Sequence, residues 1–324
     1  MTNKTTTQTA GGNQPAATVR IVRAKGDVRG KAAQLLADTS AREDPDAGAN
    51  MLATAERLGF DMSLLWTALD ERNEPVATCL MAPGVGRLCM VYSGVQGAHV
   101  SNELQAAVIR AACDDARAAT HAHVAQSLLD TGDGDQEQAF VQAGFTRLAN
   151  LLFMRRLARA DDAKLATSAP AGVTLEHWRP ALEHDFVESL GRSYEGSLDC
   201  PELCGLRDLY DVLDSHKASG RFDPDLWWLV RDKTGSPAGV LLINPTKREG
   251  AELVYIGVAP SLRGRGLSAT LLGIGLQSLA IRNIKTLVCA VDSRNAPALG
   301  LYDKLGFTQF AARIPLVRSL RTKS

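Results

Sequence analysis

The chain carries one pattern twice, at a separation of 162 residues. Trp66 recurs as Trp228, Asp70 as Asp232 and Pro75 as Pro237, and Gly144-Phe145-Thr146 recurs as Gly306-Phe307-Thr308. Chance supplies any single match. Separate anchors near the start and end of each copy, joined by one gapless offset, point to a duplication. Each copy must then bury its apolar faces by the same layering of elements, so one fold has to serve both.

The stretch from Ala160 to Gly172 is rich in Ala, Asp and Ser, with Pro170 and Gly172 near its end, and reads as a linker over 160–171. The copies then occupy 19–159 and 172–320. Residues 1–18 are rich in Thr, Gln, Asn and Gly and lack the apolar core of a secretory leader, which predicts a disordered tail. In the second copy strands are expected at Val173–His177, Trp227–Arg231, Ala238–Asn244, Glu252–Val258, Thr286–Val291 and Phe310–Val317. A helical region from Ala181 to Lys217 is broken at Gly196 and Pro201. Further helices are expected at Leu267–Ile281 and Ala296–Leu305, the latter stopped by Gly306. The first copy repeats this order more loosely, giving a mixed α/β domain present twice.

Composition narrows the function. The 36 basic and 36 acidic residues cancel, and no basic stripe marks a nucleic-acid binder. No apolar run approaches the ~20 residues that span a bilayer. Of the six cysteines, Cys79, Cys89 and Cys289 sit in apolar runs as small buried residues. Cys200 and Cys204 could be half a metal site, but no second pair follows at ligand spacing, so no metal is expected. Free thiols suit a reducing cytoplasm. Nothing in the sequence fixes an oligomeric state.

The most informative segment runs from Glu252 through Tyr255, Val258, Arg263, Gly264, Arg265 and Gly266 to Leu267 and Ser268. A strand enters a glycine-rich turn and a helix begins at once. Glycines let successive N–H groups converge without Cβ interference, and the helix N-terminus adds partial positive charge, so such a turn suits a pyrophosphate. It is not a P-loop, because no Gly-Lys-Ser/Thr follows. A dinucleotide fingerprint needs a third glycine where Ala269 stands, although alanine is sometimes accepted there. A surface turn with arginines for solubility fits the loop alone equally well.

The surrounding residues decide further. Arg263-Gly-Arg-Gly266 in its context resembles the acetyl-CoA motif of GNAT N-acetyltransferases, R/Q-x-x-G-x-G/A, with Ser268 where Gly or Ala is usual. Asn295-Ala-Pro-Ala298 and Leu301-Tyr302, followed by Gly306-Phe307, resemble that family's second signature, N-x-x-A…L-Y-x-x-x-G-F. The resemblance is strong over 172–320 and weak over 19–159. It implies two tandem GNAT-like domains, each a mixed, mostly antiparallel sheet flanked by helices, with acetyl-CoA as co-substrate. It further implies that Ile256, Gly257 and Val258 lie at the thioester, that Arg263, Gly264, Arg265, Gly266, Leu267 and Ser268 hold the pyrophosphate, and that Asn295 contacts the pantetheine arm. Tyr302 would sit near the CoA sulfur. The region between the first two strands would line the acceptor site, where Tyr194, Glu195 and Asp199 are the candidates for binding an amine.

Acetyl transfer to an amine needs a neutral nucleophile, a stabilised oxyanion and a protonated leaving thiolate. Glu252 is the candidate base; simple alternation puts it on one face with Val254, Ile256 and Val258. The O–H of Tyr302 is the candidate acid. Subtracting the offset maps Glu252 to Met90, Tyr302 to Phe140, Asn295 to Asp133, and the turn to Ser101, Asn102 and Leu104, provided no compensating gaps intervene. The first copy is therefore expected to be a degenerate, non-catalytic domain. The leading expectation is an N-acetyltransferase for a small-molecule amine. A protein N-acetyltransferase and a non-catalytic acyl-CoA sensor are the alternatives, and the presence of both Glu252 and Tyr302 favours an enzyme.

Overall fold

The 162-residue offset recurs in the three-dimensional structure. The computed structural model describes residues 4–6, 19–38, 46–58, 61–97, 100–159, 161–162, 169, 171–246 and 250–321. Two compact units result, Met1–Arg147 with Pro315–Ser324 and Leu148–Ile314.

In the first unit the strands are β1 (Lys4–Thr6), β2 (Val19–Arg23), β3 (Leu65–Leu69), β4 (Pro75–Pro83), β5 (Leu88–Val95), β6 (Val124–Asp130) and the short β7 (Thr146–Arg147). The helices are α1 (Asp27–Asp38), α2 (Ala47–Leu58), α3 (Asn102–Ala119) and α4 (Gly134–Gln142). Strands β2 to β5 pair antiparallel in sequence order, and β5 pairs with β6 in parallel. Of the expected disordered tail, Lys4–Thr6 instead forms β1, paired with the edge of β2 through Lys4↔Ile21. An edge strand offers unpaired N–H and C=O groups, and threonines suit an extended partner. The rest of 1–18 lies outside the described residues.

The second unit contains β8 (Leu151–Leu157), β9 (Thr174–His177), α5 (Glu183–Tyr194), α6 (Leu209–Ala218), β10 (Trp227–Arg231), β11 (Pro237–Pro245), β12 (Gly250–Val258), α7 (Leu267–Ile281), β13 (Thr286–Asp292), α8 (Ala296–Lys304) and the first part of β14 (Thr308–Ser319). Its sheet runs β9-β10-β11-β12-β13-β8-β14. Only β12 and β13 pair in parallel, through Gly250↔Thr286, Ala251↔Leu287 and Glu252↔Val288.

Strands β10 and β11 are apolar from Trp227 to Val230 and from Pro237 to Ile243 because both faces are covered. Trp228, Val230, Leu241 and Ile243 join Leu271, Leu272 and Leu276 of α7 in one core. Trp227, Leu229, Val240 and Leu242 join Phe186, Leu190 and Leu213 of α5 and α6 in the other. The tryptophan pair is thus strand packing. Each such side chain contributes roughly 1.5–3 kcal/mol by leaving water.

The units are cut differently from the sequence halves. Strand β8 belongs to the first half by sequence but lies between β13 and β14 in the second unit, through Leu287↔Arg156 and Thr308↔Arg155. Residues 315–324 belong to the first unit, where β7 pairs with β14 through Val317↔Thr146. The start of the expected linker is also fixed within the second unit. Asp162 is buried against Arg156, whose Nε donates to the Leu305 carbonyl at 2.6 Å. Residues 160, 163–168 and 170 lie outside the described residues. Among the described residues no helix is long and apolar enough to cross a membrane.

Candidate active site

The parallel pairing of β12 and β13 ends at Glu252↔Val288. Beyond that point a cavity of about 780 Å³ opens, lined by Leu253 to Val258 on one side and Ala290 and Val291 on the other. Its floor continues through Gly264, Gly266 and Ser268 to Asn295, Ala298 and Tyr302 of α8. A narrow wedge between two diverging strands leaves backbone N–H and C=O groups facing the gap, which is what an extended amide-bearing chain needs.

The turn at the head of α7 meets the requirements of an anion cradle. Gly264 and Gly266 have φ of +73° and +75°, in the left-handed region that excludes most side chains, and a Cβ at either would meet nothing within 4 Å. Among the described residues the N–H groups of Gly264 to Ser268 donate to no backbone acceptor outside the regular elements. The first N–H groups of a helix have no partner within it, and here the residues that carry them border the cavity at the positive end of the dipole. Leu267 and Ser268 line the cavity. Arg265 is exposed and lies outside the cavity lining.

The Arg263 side chain does not do what charge alone suggests. Its guanidinium donates to three backbone carbonyls, of Val258 at 3.1 Å, Gly196 at 3.3 Å and Ser193 at 2.9 Å. Asn295 caps α8, its Oδ1 accepting from the Ala298 N–H at 3.3 Å.

Strand β12 has a bulge. Leu242 pairs with Tyr255 and Ile243 with Leu253, which leaves Val254 unmatched. Two consecutive residues then face the same way, so simple alternation fails. Val254 and Tyr255 pack toward α5 and α6, whereas Ile256 and Val258 pack toward α7. Gly257 also faces α5 and α6, where a Cβ would stand 2.5 Å from the Tyr255 hydroxyl. Glu252 therefore does not share a face with Ile256 and Val258. Its carboxylate accepts from Ser219 Oγ at 2.6 Å, at the end of α6. It stands at the apex of the wedge, outside the cavity lining.

Tyr302 lines the cavity with only 5% of its surface exposed. Burial, followed by the neighbouring Cys289 thiol, holds its phenol well above the usual tyrosine range, so it keeps its proton. The thiol of Cys289 is itself pushed up to about 12 by burial, with Tyr302 opposing. Of the acceptor candidates, Asp199 lines the cavity, and burial raises its carboxyl against the opposing Asp292 N–H and Asn295 side chain. Tyr194 lies behind the wall, edge-on to Tyr255 at 5.4 Å between ring centroids. Glu195 is exposed where α5 ends and does not line the cavity.

Several groups at the site escaped the sequence reading. Tyr255 lines the cavity and bonds Ser193 Oγ at 2.9 Å. His216 stacks parallel to Tyr255 at 5.8 Å, and burial lowers its pKa to about 4. The fold of α6 thus turns the His216 ring inward. Strand alternation, corrected for one extra residue, is the signal that would have found Tyr255.

The wedge, the αL glycines and the capped α8 define a class of protein. Residues 192–307 match the family model described as Acetyltransferase (GNAT) family. Acetyl-CoA is the co-substrate of such a domain, and the cradle and wedge fit its diphosphate and pantetheine. Mycothiol acetyltransferase of Thermomonospora curvata is 33% identical over 172 residues, covering 53% of this chain and 56% of that relative. The chain thus spans about half the length of the curated relatives it matches. Among solved structures, a GCN5-related N-acetyltransferase from Sphaerobacter thermophilus has a TM-score of 0.59 at 20% identity, covering 94% of this chain and 97% of that one. A tandem GNAT protein from the clavulanic acid biosynthesis pathway has a TM-score of 0.50 at 15% identity, covering 94% of this chain and 100% of that one. These likenesses support the fold, a tandem of GNAT domains.

Proposed function

We propose that the protein is an acetyl-CoA-dependent N-acetyltransferase acting on a small-molecule amine at the site in the second unit. The observation that carries this is the combination of a diphosphate cradle at Gly264–Ser268 with a protonated, buried Tyr302 on the same cavity. The amine nitrogen attacks the thioester carbonyl, the C–S bond breaks, and the thiolate takes a proton. Glu252 receives the proton that the ammonium must lose, directly or through water, and Ser219 holds its carboxylate in place. Tyr302 donates to the leaving sulfur and regains a proton from the one that the nitrogen sheds as the amide forms. Backbone groups from Ile256 to Val258 bind the pantetheine arm, and Asp199 faces the incoming ammonium.

The acceptor class follows the relatives named for mycothiol, a small molecule, and the carboxylates at the apex and wall suit a cationic amine. Acetyl-CoA and a panel of small amines should yield an acetylated product detectable by mass spectrometry. With a working acceptor, Tyr302→Phe should lower kcat by about 10²-fold or more while leaving acetyl-CoA affinity nearly intact. Turnover of peptide amines alone would reassign the acceptor. Unchanged turnover in Tyr302→Phe would remove its acid role.

A further inference from the structure

Arg263 begins the cofactor turn, yet its three side-chain bonds all run to carbonyls of other segments. Val258 closes β12. Ser193 lies in the last turn of α5, and Gly196 opens the segment that brings Ser197, Leu198 and Asp199 to the cavity. The last carbonyls of a helix have no partner within it, and a cation there also meets the negative end of the helix dipole. A guanidinium presents five N–H donors in a rigid plane and can bridge several acceptors at once, which an ammonium on a flexible stem does poorly.

We infer that Arg263 is a positioning residue that fastens the diphosphate cradle to the acceptor-side wall, so that occupancy of the cradle is felt at residues 193–199. The inference rests on the proposed acetyl-CoA site. It gives Arg263 a different task from neutralising phosphate. When acetyl-CoA settles on the N–H groups of Gly264 to Ser268, the turn stiffens. Through Arg263 the wall carrying Asp199 stiffens with it, which assembles the acceptor side around a loaded co-substrate.

Three variants of the full chain separate the two tasks. Arg263→Gln keeps a planar donor without charge, Arg263→Lys keeps the charge without the fork, and Arg263→Met keeps neither. Acetyl-CoA affinity is read by calorimetry, and amide hydrogen exchange is followed at 193–199 and at 264–268 with and without acetyl-CoA. The expected result is that exchange at 193–199 rises about tenfold in the Lys and Met variants, with partial rescue by Gln. Bound acetyl-CoA should slow exchange at 193–199 in the wild type but not in Lys or Met, while still slowing it at 264–268. Affinity should weaken least for Gln and comparably for Lys and Met. The opposite ranking, with Lys close to wild type and Gln as weak as Met, would overturn the inference in favour of direct charge pairing. So would unchanged exchange at 193–199 in Met. If Met fails to fold, Gln and Lys alone still rank oppositely under the two accounts. A wild type that binds no acetyl-CoA would sink the proposed function instead, and exchange in the unliganded variants would still judge the fastening.

Discussion

Strands β5 and β12 pair with their parallel neighbours in matching register, then lead into their helices differently. Leu88↔Val124 corresponds to Gly250↔Thr286, and in both units the parallel pairing lasts three residues. Strand β12 then bulges at Val254, while β5 continues against β4 without a break from Pro83↔Cys89 to Ala77↔Val95. The connection to α7 takes residues 259–266 and contains two αL glycines. The connection to α3 takes only 96–101, and α3 begins earlier relative to the offset. Its extra first turn, capped by Ser101 Oγ on the Leu104 N–H at 3.2 Å, replaces the cradle. Ser101 is therefore not the counterpart of Arg263, because compensating gaps do separate the copies here. In the first unit Ser127 Oγ of β6 also bridges to β5, donating to the Val91 carbonyl at 2.9 Å, and Gln105 Nε2 of α3 donates to Ser93 Oγ of β5 at 3.0 Å. One scaffold thus makes a ligand cleft by inserting a bulge and unwinding a turn, and closes it by capping the helix and bridging the strands.

The largest expected effect tests the open version. Gly266→Glu puts a Cβ at φ +75° and a carboxylate where the diphosphate would lie. Acetyl-CoA affinity should fall by about 100-fold, and calorimetry showing wild-type affinity would break the contrast between the two turns.

A smaller effect concerns pH. His216 is held near pKa 4 by burial and by the nearby Arg207 charge, whereas the offset places exposed Thr54 on α2 at the matching position. The unfolded chain protonates this histidine near 6.5, so its neutral burial favours folding fully above that pH. Stability is lost as pH falls from about 6.5 toward 4, by roughly 2–3 kcal/mol at pH 4.5. Thermal melts between pH 7 and pH 4.5 should show a flatter decline for His216→Asn than for the wild type. Parallel curves would mean that the imidazole already meets water.

The smallest effect tests the closed version. Ser101→Ala removes the cap of α3 and should cost about 1 kcal/mol in urea denaturation. Acetyl-CoA affinity should stay the same. A change in affinity would show that the first unit takes part in binding.

Much of this was legible in the sequence, because the repeat aligned anchors near both ends of each copy and the apolar runs marked the strands. Helix α7 and strand β10 fall where periodicity places them, and Gly264, Gly266 and Tyr302 line one cavity. The bulge was hidden, since one extra apolar residue at Val254 changes no composition yet rotates everything after it. The exchange of β8 was hidden because its hydrophobic pattern suits either sheet equally. The task of Arg263 was hidden because sequence reveals a cation and not which acceptors its fork meets. Of the expected acceptor residues Tyr194, Glu195 and Asp199, Asp199 lines the cavity and the other two do not, because the path of the chain past the end of α5 turns Ser193 and Asp199 toward it.

The exchanged strands also set a timetable. The sheet of the second unit needs β8, made before any of its other strands, and the first unit includes residues 315–324, made after the rest of both units. During synthesis, at ~5–20 residues per second, the first unit must wait for well over a hundred further residues before its last piece emerges. The duplication therefore yields two domains that mature together, and a chain interrupted near residue 300 would leave neither one complete.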